Sequence, residues 1–332
     1  MGIFAEDLQR DSRFAEAQSI VSLGIRSFIC VPLQTKGGKA LGVLQLERMG
    51  QGQQFTAEDL HLLTAIGLQV SVALDNAQLH QELLSRQRIE QEVALARESQ
   101  LSYLPSQIPG LPHQNFEIHA ELLPAQEISG DFYDYFSLGA DRLAITVADV
   151  CGKGTPAALF MSMVRVLLGN LAERESDPGI ILRDLNDAVA PQNPKCQFVT
   201  ISLCVFDPAS RTIEVSTAGH PPPLIRRKDG SVEIVALDRG PLLGFTDRAE
   251  PYPKLRCQLH ADELLLLHTD GVTEASAPDN TMFGSERLCA ALAEAPFPPR
   301  FSQWSESLRT LQGFAGSRQQ EDDITLALLR VR

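Results

Sequence analysis

The sequence predicts an α+β protein: antiparallel sheets flanked by helices, preceded by a smaller α/β segment and a helical linker. Three observations carry that expectation. Beyond residue 112, short β-forming runs succeed one another with helical patterns grouped between them, an order that suits antiparallel sheets better than alternating βαβ units. Residues 104–112, LPSQIPGLP, place three prolines and a glycine in one stretch, which a helix cannot cross, so a domain boundary falls there. Ahead of it, a hairpin pattern runs into a long helical pattern.

The first elements are the hairpin strands SFICVPL (27–33) and ALGVLQLER (40–48). They flank a Lys-Gly-Gly-Lys tip whose glycines tolerate positive φ. A helix follows over 55–79, with Thr56 as N-cap and Asp59 three residues on, a variant of the capping box. Leu60, Leu63, Ile66 with Gly67, and Val70 mark its apolar face. From Asn76 to about Tyr103 the helical pattern continues, but Gln, Glu and Arg take over. Leu79, Leu83, Ile89, Val93 and Leu101 recur at heptad-compatible steps, interrupted by Arg86 and Glu90. Two readings stay open for it: a dimeric coiled coil, or a solitary solvated connector.

After the prolines, strands are expected at 116–123, 131–137, 142–149, 198–206, 212–217, 223–226, 255–259, 263–269 and 324–331. Helices are expected at 155–174, 178–190, 284–294 and 301–314.

Composition narrows the function. The chain has 332 residues, 44% hydrophobic and 21% charged, with a formal charge of −13, so it reads as soluble and large enough for two domains. Such a field repels nucleic acid and anionic membranes, and neither is expected as a partner. An anionic substrate would need a bound cation to reverse the local field. The six cysteines, none closer than eight residues to another, form no zinc-type pair and read as buried thiols of a reducing cytosol. The N-terminal MGIFAEDLQR lacks a signal-peptide pattern, and no uninterrupted apolar run approaches the roughly 18 residues of a membrane span. A cytoplasmic protein is the expectation.

Four segments share one peculiarity: a strand-like run that starts or ends at aspartate. They are SGDFYD with Asp131, LAITVADVCGKG with Asp149, ELLLLHTDGVTEA with Asp270, and EDDITLALLRV with Asp322 and Asp323. Any one alone reads as a turn former bonding its own backbone. Four at the ends of core strands read differently if those ends converge. Crowded carboxylates raise one another's pKa or bind cations, and oxygen ligands without histidine or cysteine suit Mg2+ or Mn2+. Two divalent ions would balance four carboxylates and could activate a water.

GDFYD, ADVCGKGTPAALFM, TAGHPPPL, GPLLG, HTDGVTEA and DDITLALL occur in the order found in SpoIIE/RsbU-like phosphatases, so the chain from about residue 100 to 332 resembles that family. These are the bacterial branch of the metal-dependent (PPM) serine/threonine protein phosphatases. The resemblance implies a PPM-type α/β-β/α sandwich with two Mn2+ or Mg2+ ions at one edge. Carried over by motif, Asp131, Asp149, Asp270 and Asp322 would be the ligating carboxylates, and Val150 would offer its backbone carbonyl. A hydroxide bridging the metals would then attack phosphorus in line, with no catalytic side chain beyond that water and no phosphoenzyme. Asp134 and Asp323 rank second, as outer-shell groups or a third-metal site. Ser129-Gly130 stands where the family has Gly-Gly. Lys153 could steer phosphate or be merely solvated, His220 reads first as a turn histidine, and Glu274 as a surface group.

The implied substrate is phosphoserine or phosphothreonine on a STAS-domain anti-sigma-factor antagonist. A catalytically silent scaffold is the alternative; the acidic chain and missing histidine ligands disfavour a two-metal nuclease or phosphodiesterase.

RSFICVPL, LGVLQLER and FTAEDLHLLTAIGLQVSVALDNA resemble the second half of a GAF domain, a sensor fold. The early helix and strands of that fold are missing, which implies a shortened piece or a start set too late. An open half-sheet is expected to bind no small ligand and to be poorly ordered or stabilised by dimerisation. The organisation expected is thus a partial GAF domain at 1–78, a linker at 79–104 (the site of any homodimer) and a phosphatase domain at 105–332.

Overall fold

In the computed structural model, residues 2–6, 8, 25–49, 53–105, 107, 110, 111, 115–193, 197–245, 250–294 and 311–332 are described. The chain divides into two compact units, Met1–Glu92 and Val93–Arg332.

In the first unit, β1 (Ile3–Ala5), β2 (Ile25–Gln34) and β3 (Ala40–Met49) form an antiparallel sheet with β2 in the middle. Alternation along β2 turns Ile25, Ser27, Ile29, Val31 and Leu33 inward, as a half-buried strand requires. Only β1 goes beyond the expected hairpin. Helix α1 (Ala57–Tyr103) is one continuous helix. Its start is the predicted capping box: Thr56 N donates to Asp59 Oδ2 at 2.8 Å and Asp59 N to Thr56 Oγ1 at 3.3 Å. Leu63 packs with Ile29, Val31 and Phe55, and Leu60 lies against them. Ile66 departs from the expected face. It is 43% exposed because the stripe turns through Gly67 and Ser71 instead.

The division between units falls inside α1, upstream of the proline-rich stretch. The last turns of the helix belong to the second unit, where the Gln100 amide donates to Ser129 O at 2.6 Å and accepts from Ser129 N at 3.1 Å.

The second unit continues with β4 (Phe116–Leu123), β5 (Phe132–Leu138), β6 (Arg142–Val150), α2 (Thr155–Ala172) and α3 (Pro178–Val189). Then come β7 (Val199–Asp207), β8 (Thr212–Ala218), β9 (Leu224–Arg226), β10 (Val232–Ile234), β11 (Lys254–Gln258) and β12 (Leu264–His268). The short α4 (Asp270–Glu274), α5 (Gly284–Glu294) and β13 (Ile324–Val331) complete it. All nine expected strands of this unit are present, and β10 and α4 were not foreseen. The helix expected at 301–314 falls on residues 301–310, outside the described set, and on 311–315, which are helical.

Two five-stranded antiparallel sheets result, ordered β10-β9-β12-β13-β4 and β11-β8-β7-β6-β5. Strand alternation sorts their side chains into three layers. Leu143, Ile145 and Val147 of β6 meet Leu265 and Leu267 of β12 and Leu329 of β13 between the sheets. Ala144 and Ala148, on the other face of β6, take Met161, Val164 and Leu168 of α2 and Leu185 of α3. Leu264 and Leu266 of β12 and Leu326 of β13 meet Val272, Phe283 and Leu292 on the opposite outer layer. This is the α/β-β/α sandwich the resemblance implied. The length and hydropathy of α1 and α2 make them weak membrane-span candidates. The buried side of α2 is accounted for by the sheet beneath it.

Candidate metal centre

Register brings the aspartates together. β5 pairs with β6 antiparallel up to Phe132↔Ala148, so Asp131 and Asp149 stand side by side one residue further. β12 pairs with β13 up to His268↔Leu326, so the chain beyond β12, with Asp270, lies beside the chain leading into β13, with Asp322. The segments that carry Asp131 and Asp270 both need glycine for close approach. A Cβ on Gly271 would lie 1.9 Å from the Asp323 carbonyl oxygen, and one on Gly130 would lie 2.9 Å from the Val150 carbonyl oxygen. The Val150 side chain is in the core while its carbonyl faces this loop.

Asp131 is 2% exposed. Its Oδ2 accepts from Thr269 Oγ1 at 2.9 Å and Thr325 Oγ1 at 2.7 Å. Burial, then the charge of Asp149, still push its carboxyl well above the ordinary range. Asp149 is pushed up to about 7 by burial first and Asp270 next, with Asp322 and Asp323 adding to it. Asp270 is raised by burial and then by Asp322. Glu274 is raised by burial, Asp270 and Asp322, which puts it at the rim of the same field. The four aspartates therefore repel one another.

Among the described residues, no three His, Cys, Asp or Glu side chains form a ready-made cation cage. A lysine partly balances the charge: Lys153 Nζ lies 3.1 Å from Asp322 Oδ1 and donates to Glu321 O. It is thus neither simply solvated nor free. The donor chemistry fits hard divalent cations, because Asp131, Asp149, Asp270, Asp322 and the Val150 carbonyl offer only oxygens.

The second-rank candidates differ in place: Asp323 lies beside the ligand candidates, whereas Asp134 lies on another face of its sheet. Asp323 Oδ1 accepts from Ala125 N at 2.7 Å, and its Oδ2 from Ser129 Oγ at 2.6 Å and Gly130 N at 2.9 Å. It clamps the loop that presents Asp131. Asp134 points to the helix-covered face of its sheet, where Oδ2 lies 2.8 Å from Arg165 Nε of α2 and Oδ1 accepts from Tyr135 N at 2.9 Å. His220 is fully buried, 2.8 Å from Thr200 Oγ1 through Nδ1, which suits a core histidine and not a surface contact.

Sequence reasoning missed Thr269 and Thr325, and it noted Ser129 without assigning its hydroxyl a role. Thr269 Oγ1 also accepts from Thr325 N at 3.0 Å, and Ser129 Oγ accepts from Asp131 N at 3.0 Å. The available signal was a hydroxyl within three residues of Asp270, Asp322 and Asp131, in HTD, DDIT and SGD.

The model of the family described as Stage II sporulation protein E (SpoIIE) matches residues 139–332, and the GAF model matches residues 2–74. Protein IcfG of Synechocystis is 31% identical over 71% of this chain and 40% of its own length. Phosphoserine phosphatase RsbU of Bacillus subtilis is 29% identical over 76% of this chain and 74% of its own. The SiaA-PP2C domain of Pseudomonas aeruginosa matches the fold with a TM-score of 0.65 and 24% identity, over 75% of this chain and 99% of that one. The chain spans well under two thirds of IcfG and about three quarters of RsbU. With the SpoIIE model covering more than half of the residues, and the sandwich and its aspartate-bearing edge in the order the motifs require, the chain belongs to the SpoIIE family and carries a GAF domain ahead of that region.

Proposed function

We propose that the protein is a Mg2+- or Mn2+-dependent serine/threonine protein phosphatase. The observation that carries this reading is the meeting of two strand pairs, β5–β6 and β12–β13, each delivering two aspartates to one edge. Asp131, Asp149, Asp270, Asp322 and the Val150 carbonyl would hold two such ions. Bound there, divalent cations supply positive charge to the phosphoryl oxygens and lower the pKa of water. The chain's own part is positioning: Thr269 and Thr325 fix the Asp131 carboxylate, while Asp323 fixes the loop that carries it. Lys153 pairs with Asp322 and so holds that carboxylate at the edge where a cation would bind.

The substrate we infer is a phosphoserine- or phosphothreonine-bearing protein of the partner-switching kind, an anti-sigma-factor antagonist of the STAS type. The similarity to a phosphoserine phosphatase, RsbU, supports it. We further infer a cytoplasmic protein, with the GAF domain regulating turnover through α1 and a homodimer formed along that helix. Leu79, Leu83 and Ile89 are 52%, 58% and 58% exposed, the pattern a helical partner would cover.

The test is hydrolysis of p-nitrophenyl phosphate with Mn2+, with and without EDTA. Turnover that EDTA abolishes and Asp149→Ala removes is expected; wild-type rates in Asp149→Ala would sink the reading. The Lys153–Asp322 ion pair is the observation that favours a catalytically silent scaffold, since a lysine there can replace a cation. Absence of turnover at any metal concentration would select that alternative.

A further inference from the structure

Two clefts flank α4, and Glu274 lies in the wall of both. The larger, about 340 Å3, contains Lys153 and Arg318, but both are committed. Lys153 is paired with Asp322, and Arg318 Nη2 lies 2.6 Å from Glu321 Oε1. The second cleft, about 270 Å3, takes Asp270, Thr273, Ser285 and Arg239 into its wall. Arg239 is exposed, and among the described residues no ion pair or hydrogen bond engages its guanidinium.

We propose that Arg239 binds the phosphate of the substrate from the cleft beside Asp270, an assignment that rests on the phosphatase reading above. The charge balance calls for such a group. Four aspartates matched by two divalent ions leave the centre near neutral, in a chain of net charge −13. A phosphate monoester dianion entering it needs a further cation to compensate it. The forked N–H groups of arginine match phosphate oxygens pairwise, which a lysine does not.

The backbone fixes where Arg239 starts. Gly240 N donates to Thr217 O at 3.0 Å, and Gly219 N donates to Gly240 O at 2.9 Å. The Tyr252 ring packs so closely that a Cβ on Gly240 would lie 2.1 Å from its Cδ1. The side chain is therefore free while its root is anchored. Pro221 and Pro222 stiffen the facing wall.

The experiment compares wild type, Arg239→Ala and Arg239→Lys in Mg2+. KM and kcat are measured on p-nitrophenyl phosphate and on phosphoserine peptides with and without acidic flanks. Binding of inorganic phosphate is measured by calorimetry. Arg239→Ala should raise KM on every substrate by about tenfold or more, the factor carried by one charge-assisted hydrogen bond, with kcat changed far less. Phosphate affinity should fall in parallel, and Arg239→Lys should recover part of both. Unchanged phosphate affinity and KM would overturn the assignment. So would a KM effect confined to acidic-flanked peptides, which would make Arg239 a reader of the flank. A wild type that turns nothing over but loses phosphate affinity in Arg239→Ala would leave Arg239 assigned and refute the phosphatase reading. A wild type that neither turns over nor binds phosphate would refute both.

Discussion

Asp131 shows what a single residue costs and how the surroundings offset it. A carboxylate this buried is tolerated because two threonine hydroxyls, Thr269 and Thr325, donate to one of its oxygens. Thr325→Val should therefore raise the Mn2+ concentration needed for half-maximal turnover by about tenfold or more, as loss of a group orienting a metal ligand does. A metal titration of activity that matches wild type would remove Thr325 from the site. The aspartates were legible in the sequence because charge interrupts apolar strands. The threonines were not, because threonine suits a strand whether or not its hydroxyl faces a carboxylate. His220 offers a pH test on a buried group that is not itself a ligand candidate. Burial first, then His268 and Arg239, hold its pKa at about 3 against an ordinary 6.5. Its folded pKa is depressed, so its neutral form contributes stability above about pH 6.5, and that contribution is lost as pH falls toward 3. Asp149, raised to about 7, slopes the other way over much of the same range, so the raw curve of the metal-free protein mixes the two. The difference in melting temperature between wild type and His220→Asn isolates it. It should shift in favour of the variant as pH drops from 7 to 5, and a difference independent of pH would refute the assignment of a neutral buried imidazole.

At the scale of elements, the strands could be read because their two faces differ in company. In β6, alternating side chains serve the inter-sheet core and the helix-covered core, so nearly the whole strand is apolar and stands out. β10 was missed because it is a three-residue edge strand with two exposed positions, too short for a pattern. α4 was missed because Asp-Gly signals a turn, and here the glycine answers a different need, the Asp323 carbonyl packed against it. Two glycine substitutions of opposite sign test that account. Gly271→Ala should destabilise by roughly 3 kcal/mol or more, because its Cβ meets backbone that cannot move aside. Gly169→Ala lies within α2, where a Cβ would meet nothing within 4 Å, and should stabilise by roughly 0.5–1 kcal/mol. Urea unfolding measures both. A neutral Gly271→Ala would mean that the α4–β13 approach is looser than it stands here.

For the whole molecule, the open question is what covers α1. Most helical stability in proteins comes from packing an apolar face, yet in this 47-residue helix every described residue from Asn76 to Glu92 is exposed. The sequence showed the heptad-compatible residues but not whether they had a partner, since Arg86 and Glu90 blur the seam. Exposed leucines at that spacing are disfavoured in isolation, and a second copy of the same helix would bury them while leaving the charged faces in water. The full chain should therefore sediment as a dimer at micromolar concentration. Leu83→Glu combined with Ile89→Glu should shift it to monomer and reduce the helical circular-dichroism signal. If the GAF unit acts through that helix, the monomeric variant should also lose any difference in turnover between the full chain and residues 93–332. A full chain that sediments as a monomer, with helical content unchanged by the two glutamates, would leave α1 a solitary connector and the GAF unit without this route to the aspartate edge.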